Sequence, residues 1–217
     1  MIPIVGLHLE RDEQAIILRS EAPLTILSSA VVGGGLTSAR VIINRHVSKY
    51  YDHPHPEKEM LLFAANRGIQ EPFVGLMTAV FTKNMWIGVE TGEEVAVVLI
   101  LTAGFSNTIS SGLSAPIQLH PGTINMILLI DAALTPAAMV NAVITATEAK
   151  TASIHRWSML TDEGLPATGT STDAIVVACT GRGPVLPYAG PVTPVGAAIA
   201  RLIRRGMEAR RPGQVEG

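Results

Sequence analysis

What most limits the fold of this chain is the spacing of its apolar stretches near the N-terminus. Ile4 to Leu9, Ala15 to Leu18 and Leu24 to Val32 are strand-length runs divided only by Arg11-Asp12-Glu13 and by Glu21-Ala22-Pro23. A parallel crossover needs a dozen or more residues, so spacers this short imply antiparallel pairing. Gly33-Gly34-Gly35 then marks a tight turn or a close approach of backbone to a ligand, because glycine adopts positive φ without steric cost. Ala39 to Ile43 reads as a further strand, and Asn44 to His55 as a polar loop.

Beyond Pro56 the stretch EKEMLLFAANRG has acids in its first turn, an apolar face at Met60, Leu61 and Ala64, and Gly68 as a stop. These features predict a short amphipathic helix. Phe73 to Phe81, Met85 to Val89 and Val95 to Thr102 are strand-like, with a hairpin signal at Thr91-Gly92, which predicts a β-meander. Another strand follows over Thr123 to Asp131. Thr135 as N-cap and Pro136 at the first helical position open a helix predicted to run to about His155. Its Ala- and Thr-rich sequence suits close packing on a sheet, or on a large flat ligand. Ile175 to Cys179 reads as a buried strand and Thr193 to Met207 as a last helix. Strands dominate the first half and helices are few. The expected class is therefore α+β, a largely antiparallel or mixed sheet with a few packed helices, in one domain over 1–209, with 210–217 as a frayed tail.

Composition excludes several functions. The runs Val95 to Leu101 and Met126 to Ile130 fall far short of the ~18 residues that span a bilayer, so the 47% hydrophobic content reflects a buried sheet. MIPIVGLHLERDE lacks a basic segment before an apolar one, so no secretory leader is expected and the cytoplasm is the expected location. A net charge of −2 offers no basic excess for nucleic acid. The single cysteine, Cys179, lies in AIVVAC and reads as a buried structural thiol. The strand edges of a meander are compatible with a homodimer.

Three polar clusters interrupt the apolar elements. The first is Asn44-Arg45-His46 with Tyr50, Tyr51, Asp52, His53 and His55, which supplies groups for general acid–base work. Asp52, His53 and His55 match no zinc signature, so no metal site is assigned and no cofactor is expected to be required. In the second, Thr145, Thr147, Glu148, Lys150 and Thr151 lie on the long helix, where Thr147, Lys150 and Thr151 share a face. Glu148 and Lys150 point about 200° apart, which denies them a direct pair. In the third, Ala167 to Asp173 is dense in hydroxyls and ends in a carboxylate just before a buried strand. Such a run can present donors to an oxyanion, or form a hydroxyl-rich turn.

Taken together, SSAVVGGG at Ser28–Gly35, Asn44 to Tyr51, GLMTAV at Gly75–Val80, GTIN at Gly122–Asn125, TATEAKTA at Thr145–Ala152 and ATGTSTDAIVVA at Ala167–Ala178 resemble the adenosylcobinamide amidohydrolase family. Thr108 departs from that pattern, which has a small residue after Asn107. The resemblance implies hydrolysis of the amide joining aminopropanol to the corrin ring of adenosylcobinamide, giving adenosylcobyric acid for cobalamin salvage. Amide hydrolysis needs an activated nucleophile, a stabilised oxyanion and a proton for the leaving amine. The catalytic candidates are Asp173 or Glu148 acting on water or on the Thr170 hydroxyl, with Lys150 or Asn44 at the oxyanion. Candidate corrinoid-binding residues are Gly33, Gly34, Gly35, His46, Tyr50, Met77, Asn107, Thr123, Asn125, Thr147 and Thr168. A corrinoid carrier without catalysis, and a metal-dependent hydrolase of another amide using His53 and His55, are the rival readings.

Overall fold

The computed structural model describes residues 2–92, 95–115 and 123–213. In chain order the strands are β1 (Leu7–Arg11), β2 (Ala15–Ser28), β3 (Gly35–His46), β4 (Phe73–Thr78), β5 (Trp86–Thr91), β6 (Ala96–Ala103), β7 (Thr108–Ile109), β8 (Ile124–Ile130), β9 (Ala133–Leu134), β10 (Gly169–Thr170), β11 (Ala174–Cys179) and β12 (Val185–Leu186). Helix α1 (Pro56–Asn66) follows β3, α2 (Pro136–Arg156) follows β9, and α3 (Pro194–Ala209) follows β12. The fold is α+β, built on one mixed sheet of eight strands ordered β4-β3-β2-β11-β8-β6-β5, with β1 beside β2.

The Arg11-Asp12-Glu13 spacer does produce an antiparallel pair, β1 with β2, and the turn ending at Gly35 joins β2 to an antiparallel β3. The Glu21-Ala22-Pro23 spacer does not end a strand, however. β2 runs through it, and the register with β3 shifts between Arg19 and Leu24. A bulge there tolerates Pro23, which has no N–H for the ladder. Strand β2 is thereby long enough to serve two partners, β1 through Ile16–Ser20 and β11 through Thr25–Ser28.

The meander expectation holds only for β5 and β6, which are antiparallel. β4 instead pairs parallel with β3, and β11 parallel with β8, so β4 and β5 lie at opposite ends of the sheet order. Helix α1 supplies the crossover that parallel β3 and β4 require. Neither end of the sheet is bare. The Val32 amide donates to the Gly75 carbonyl at 3.3 Å and Gly75 donates back at 2.9 Å, while Arg205 and Arg210 donate to the Val89 and Met85 carbonyls at 3.1 and 3.2 Å.

Alternation along the strands sorts the core into an inner and an outer side. Ile16, Leu18, Ile26, Ile42, Leu76, Ile100, Ile127 and Val176 form one cluster within the curve of the sheet. Leu99, Leu101, Met126, Leu128 and Val177 face the other way and pack with Ala138, Ala142, Ala146 and Ala149 of α2 and Ile199, Leu202 and Ile203 of α3. Met60 and Ala64 of α1 cover Ile17, Val41 and Ile43, while Leu61, assigned to that apolar face by its sequence spacing, is 51% exposed. The small-residue face of α2 thus packs on protein and leaves no room there for a flat ligand. Helix α2 starts as its sequence predicts, with the Thr135 hydroxyl accepting from the Ala138 amide, and Thr193, read as the first residue of the last helix, caps α3 in the same way by accepting from the Gly196 amide.

Candidate active site

Asn44 on β3 and Asn125 on β8 are separated in the sheet by β2 and β11. In a flat sheet, three strand spacings would hold them about 14 Å apart. Asn125 Nδ2 nevertheless donates to Asn44 Oδ1 at 2.8 Å, so the sheet curls into an open barrel whose inner faces meet. Asn125 Nδ2 also reaches the Met77 carbonyl of β4 at 2.8 Å, and Asn44 Nδ2 donates to Thr102 Oγ1 of β6 at 3.1 Å. Asn44, Thr102, Thr123 and Asn125 are all at most 2% exposed. Burial without partners would cost each polar group dearly, and the mutual bonding satisfies them as one unit. This network floors one end of the barrel.

Above the floor lies a cavity of about 480 Å³, lined among others by Val31, Tyr51, Met77, Thr123, Ser171, Thr172 and Asp173. Asp173 comes from the turn between β10 and β11, and both of its carboxylate oxygens accept hydrogen bonds. Lys150, reaching across from α2, forms an ion pair with Oδ2. Oδ1 accepts from the Thr170 hydroxyl at 2.5 Å and from the Thr170 and Ile124 amides at 3.2 Å each. The Lys150 side chain is 9% exposed and that of Asp173 17%, so the pair is sheltered from solvent. Gly169 leaves the space for it: a Cβ there would sit 2.6 Å from Lys150 Nζ and closer still to Asp173 Oδ2. Thr123 Oγ1 lies 2.6 Å from the Thr172 carbonyl and 2.9 Å from Asn125 Oδ1, which ties this turn to the floor.

The predicted clusters therefore divide. The structure brings together Asn44, Thr123, Asn125, Lys150, Thr170 and Asp173, with Met77 on the wall. Thr147 and Glu148 are on the exposed side of α2, where Thr147 Oγ1 donates to the Val143 carbonyl. Lys150, two residues beyond Glu148, faces inward, as the helical offset requires. His46 Nδ1 lies 3.2 Å from the Val80 carbonyl and its ring packs on Phe81, in a different cavity beside Arg45 and Arg67. The glycine turn packs on β4: a Cβ at Gly33, where φ is 69°, would meet the Phe73 carbonyl at 2.6 Å. Its upstream neighbours Ser29 and Val31 line the cavity instead. Thr168 binds the Ser111 amide at 2.9 Å, and Tyr50 is 78% exposed. Gly122 lies outside the described residues.

Sequence reading missed Thr102, and it held Gly169, Ser171 and Thr172 within the hydroxyl-rich cluster without singling them out. Thr102 pairs with Asn125 across β6 and β8, a register no local pattern reveals. Tyr51 also belongs to the wall. Burial, and then the nearby Glu59 carboxylate, push its phenol well above the ordinary tyrosine range. Among the described residues no three His, Cys, Asp or Glu side chains converge as a metal site; the His53 ring accepts from the His55 amide at 3.1 Å. Burial likewise raises the Cys179 thiol to about 12, as expected for a structural cysteine.

Comparison with known proteins bears on what this arrangement serves. The family model described as adenosylcobinamide amidohydrolase matches residues 4–210. The chain belongs to this family. A relative named adenosylcobinamide amidohydrolase from Methanosarcina mazei is 31% identical over 206 residues, covering 91% of this chain and 94% of the relative. A Halobacterium salinarum protein of the same name is 38% identical over 124 residues, 52% of this chain and 49% of that protein. The crystal structure of the PH0078 protein from Pyrococcus horikoshii OT3 shares the fold at a TM-score of 0.51 and 10% identity, over 94% of this chain and 82% of that one. Among the described residues no helix is long and apolar enough to cross a membrane.

Proposed function

We propose that this member of the adenosylcobinamide amidohydrolase family hydrolyses the amide between the aminopropanol arm and the corrin ring of adenosylcobinamide. The products are adenosylcobyric acid and aminopropanol, which suits a role in corrinoid salvage. The observation that carries the reading is a carboxylate on a cavity wall, Asp173, clamped by a buried lysine and three further donors.

The cavity admits an arm of the substrate, and Asp173 meets a water there as general base. The water oxygen attacks the amide carbon and its proton passes to Asp173. Ser171 and Thr172, beside Asp173 on the wall, bring hydroxyls to the oxyanion. Collapse breaks the C–N bond, and the proton held on Asp173 goes to the departing amine. Lys150 and Thr170 hold the base in place. Thr170 is 5% exposed, does not line the cavity and gives its hydroxyl proton to Asp173 Oδ1, which favours water over an acyl-enzyme on that hydroxyl. Asn44 bonds both Thr102 and Asn125, which makes it part of the floor and leaves the oxyanion to other groups.

The test is incubation of purified protein with adenosylcobinamide, with the corrinoid product followed by mass. Wild type should release adenosylcobyric acid, Asp173→Asn should lose about 10²- to 10⁴-fold in rate while staying folded, and Glu148→Gln should match wild type. Unchanged adenosylcobinamide with wild-type protein sinks the reading in favour of a carrier. Full activity in Asp173→Asn removes this carboxylate as the base.

A further inference from the structure

A second chamber adjoins the first. It has a volume of about 580 Å³ and is lined by Lys49, Tyr50, Asn107, Thr108, Ser114 and Asp162, among others. The two are joined at a bridge in which Asn107 Nδ2 of the second donates at 2.6 Å to Ser171 Oγ of the first. The first sets Asp52, His53 and Asp173 beside apolar walls at Val31, Val47 and Leu76. The second offers hydroxyls, a side-chain amide, an ammonium and carboxylates around one exposed aromatic ring, that of Tyr50. Lys49 Nζ lies 4.8 Å from the centre of that ring, a cation–π contact that occupies one of its faces.

A corrin ring is a broad, flat macrocycle fringed with amide arms, each with one acceptor and two donors. Chambers of about 480 and about 580 Å³ each suit a drug-sized group and enclose no such ring, which must rest across an exposed surface with its arms entering. The second chamber carries a flat aromatic surface that is 78% exposed, with donors and acceptors near it for the fringe. We propose that the corrin ring of the substrate rests across the mouth of this second chamber, against Tyr50 and the Asp162 loop, while its scissile arm passes the Asn107–Ser171 bridge to reach Asp173. Tyr50 and Asp162 are then specificity-determining residues that hold the ring and take no part in the chemical step. This inference rests on the hydrolytic reading above and names where its substrate is held.

The experiment measures KM and kcat on adenosylcobinamide, and the dissociation constant of adenosylcobyric acid by visible absorption, for wild type, Tyr50→Ala, Asp162→Ala and the double variant. Both side chains are exposed, so the variants should fold. Each single change should raise KM and the product dissociation constant about tenfold with kcat within about twofold, and the double variant should lose about a hundredfold. Unchanged KM and product affinity in both single variants overturn the inference. So does a fall in kcat at constant KM, which would place these residues in the chemical step. If wild type binds the corrinoid through Tyr50 and Asp162 yet releases no aminopropanol, the hydrolytic reading fails and the ring site stands.

Discussion

Replacing Gly169 with alanine probes the centre of the site with one methyl group. Gly169 is not among the glycines with positive φ, so its backbone accepts an L-residue and the effect of the change is contact alone. The new Cβ would stand 2.6 Å from Lys150 Nζ and closer to Asp173 Oδ2. Ordinary contact lies near 3.5 Å, so these groups must withdraw by about 1 Å. The lysine tip can swing aside, but only by leaving Asp173. The carboxylate can retreat only by stretching its bonds to Ile124 and Thr170 amides, which at 3.2 Å have little slack. Losing one such charge-assisted bond costs about 1–3 kcal/mol, or roughly 2–12 °C in Tm for a chain of this size. A base misplaced by about 1 Å costs on the order of 10²-fold in kcat. The assay is turnover of adenosylcobinamide alongside a thermal melt, with Gly190→Ala as control because a Cβ there meets nothing within 4 Å. If Gly169→Ala keeps the turnover and melting temperature of wild type, the claim that this glycine makes room for the Lys150–Asp173 pair is refuted.

Three further outcomes follow from named contacts. Asn125→Ala strips the floor of the bonds to Asn44, Met77 and Thr123, so it should lower stability by about 2–4 kcal/mol in denaturant melts, whereas an unaltered midpoint would show the network to be dispensable. With its thiol near 12, Cys179 should be about one part in 10⁴ thiolate at pH 8 and resist a thiol reagent until the protein is denatured; rapid labelling of native protein would contradict its burial. The hydrogen bond from Arg67, aided by the Gln14 and Ala15 amides and opposed by burial, lowers Asp12 from its ordinary 3.8 to about 2. Its folded value being depressed, its contribution is complete above pH 3.8 and disappears as pH falls through about 2, so Asp12→Asn should flatten the stability–pH curve in that window; an unchanged acid limb would count against the assignment.

The sequence by itself determined the elements whose signals are local. Thr135-Pro136 opened α2, the spacing over Thr193 to Met207 marked α3, the Arg11-Asp12-Glu13 spacer fixed β1 and β2 as antiparallel, and the apolar run around Cys179 marked a buried strand. Periodicity on α2 alone separated Glu148 from Lys150. Strand order was not legible, because hydrophobic pattern says which face is buried and is silent on which neighbour lies alongside. Hence the pattern places β4 next to β5, whereas the crossover helix α1 carries it to β3. The site depended on that order. Asn44, Thr102 and Asn125 are far apart in sequence and become one network only because the sheet curls, and Lys150 meets Asp173 only because α2 packs over β11. The sequence supplied the side chains in the right chemical classes, and the closure of the barrel, driven by burial of its apolar inner face, decided which of them meet.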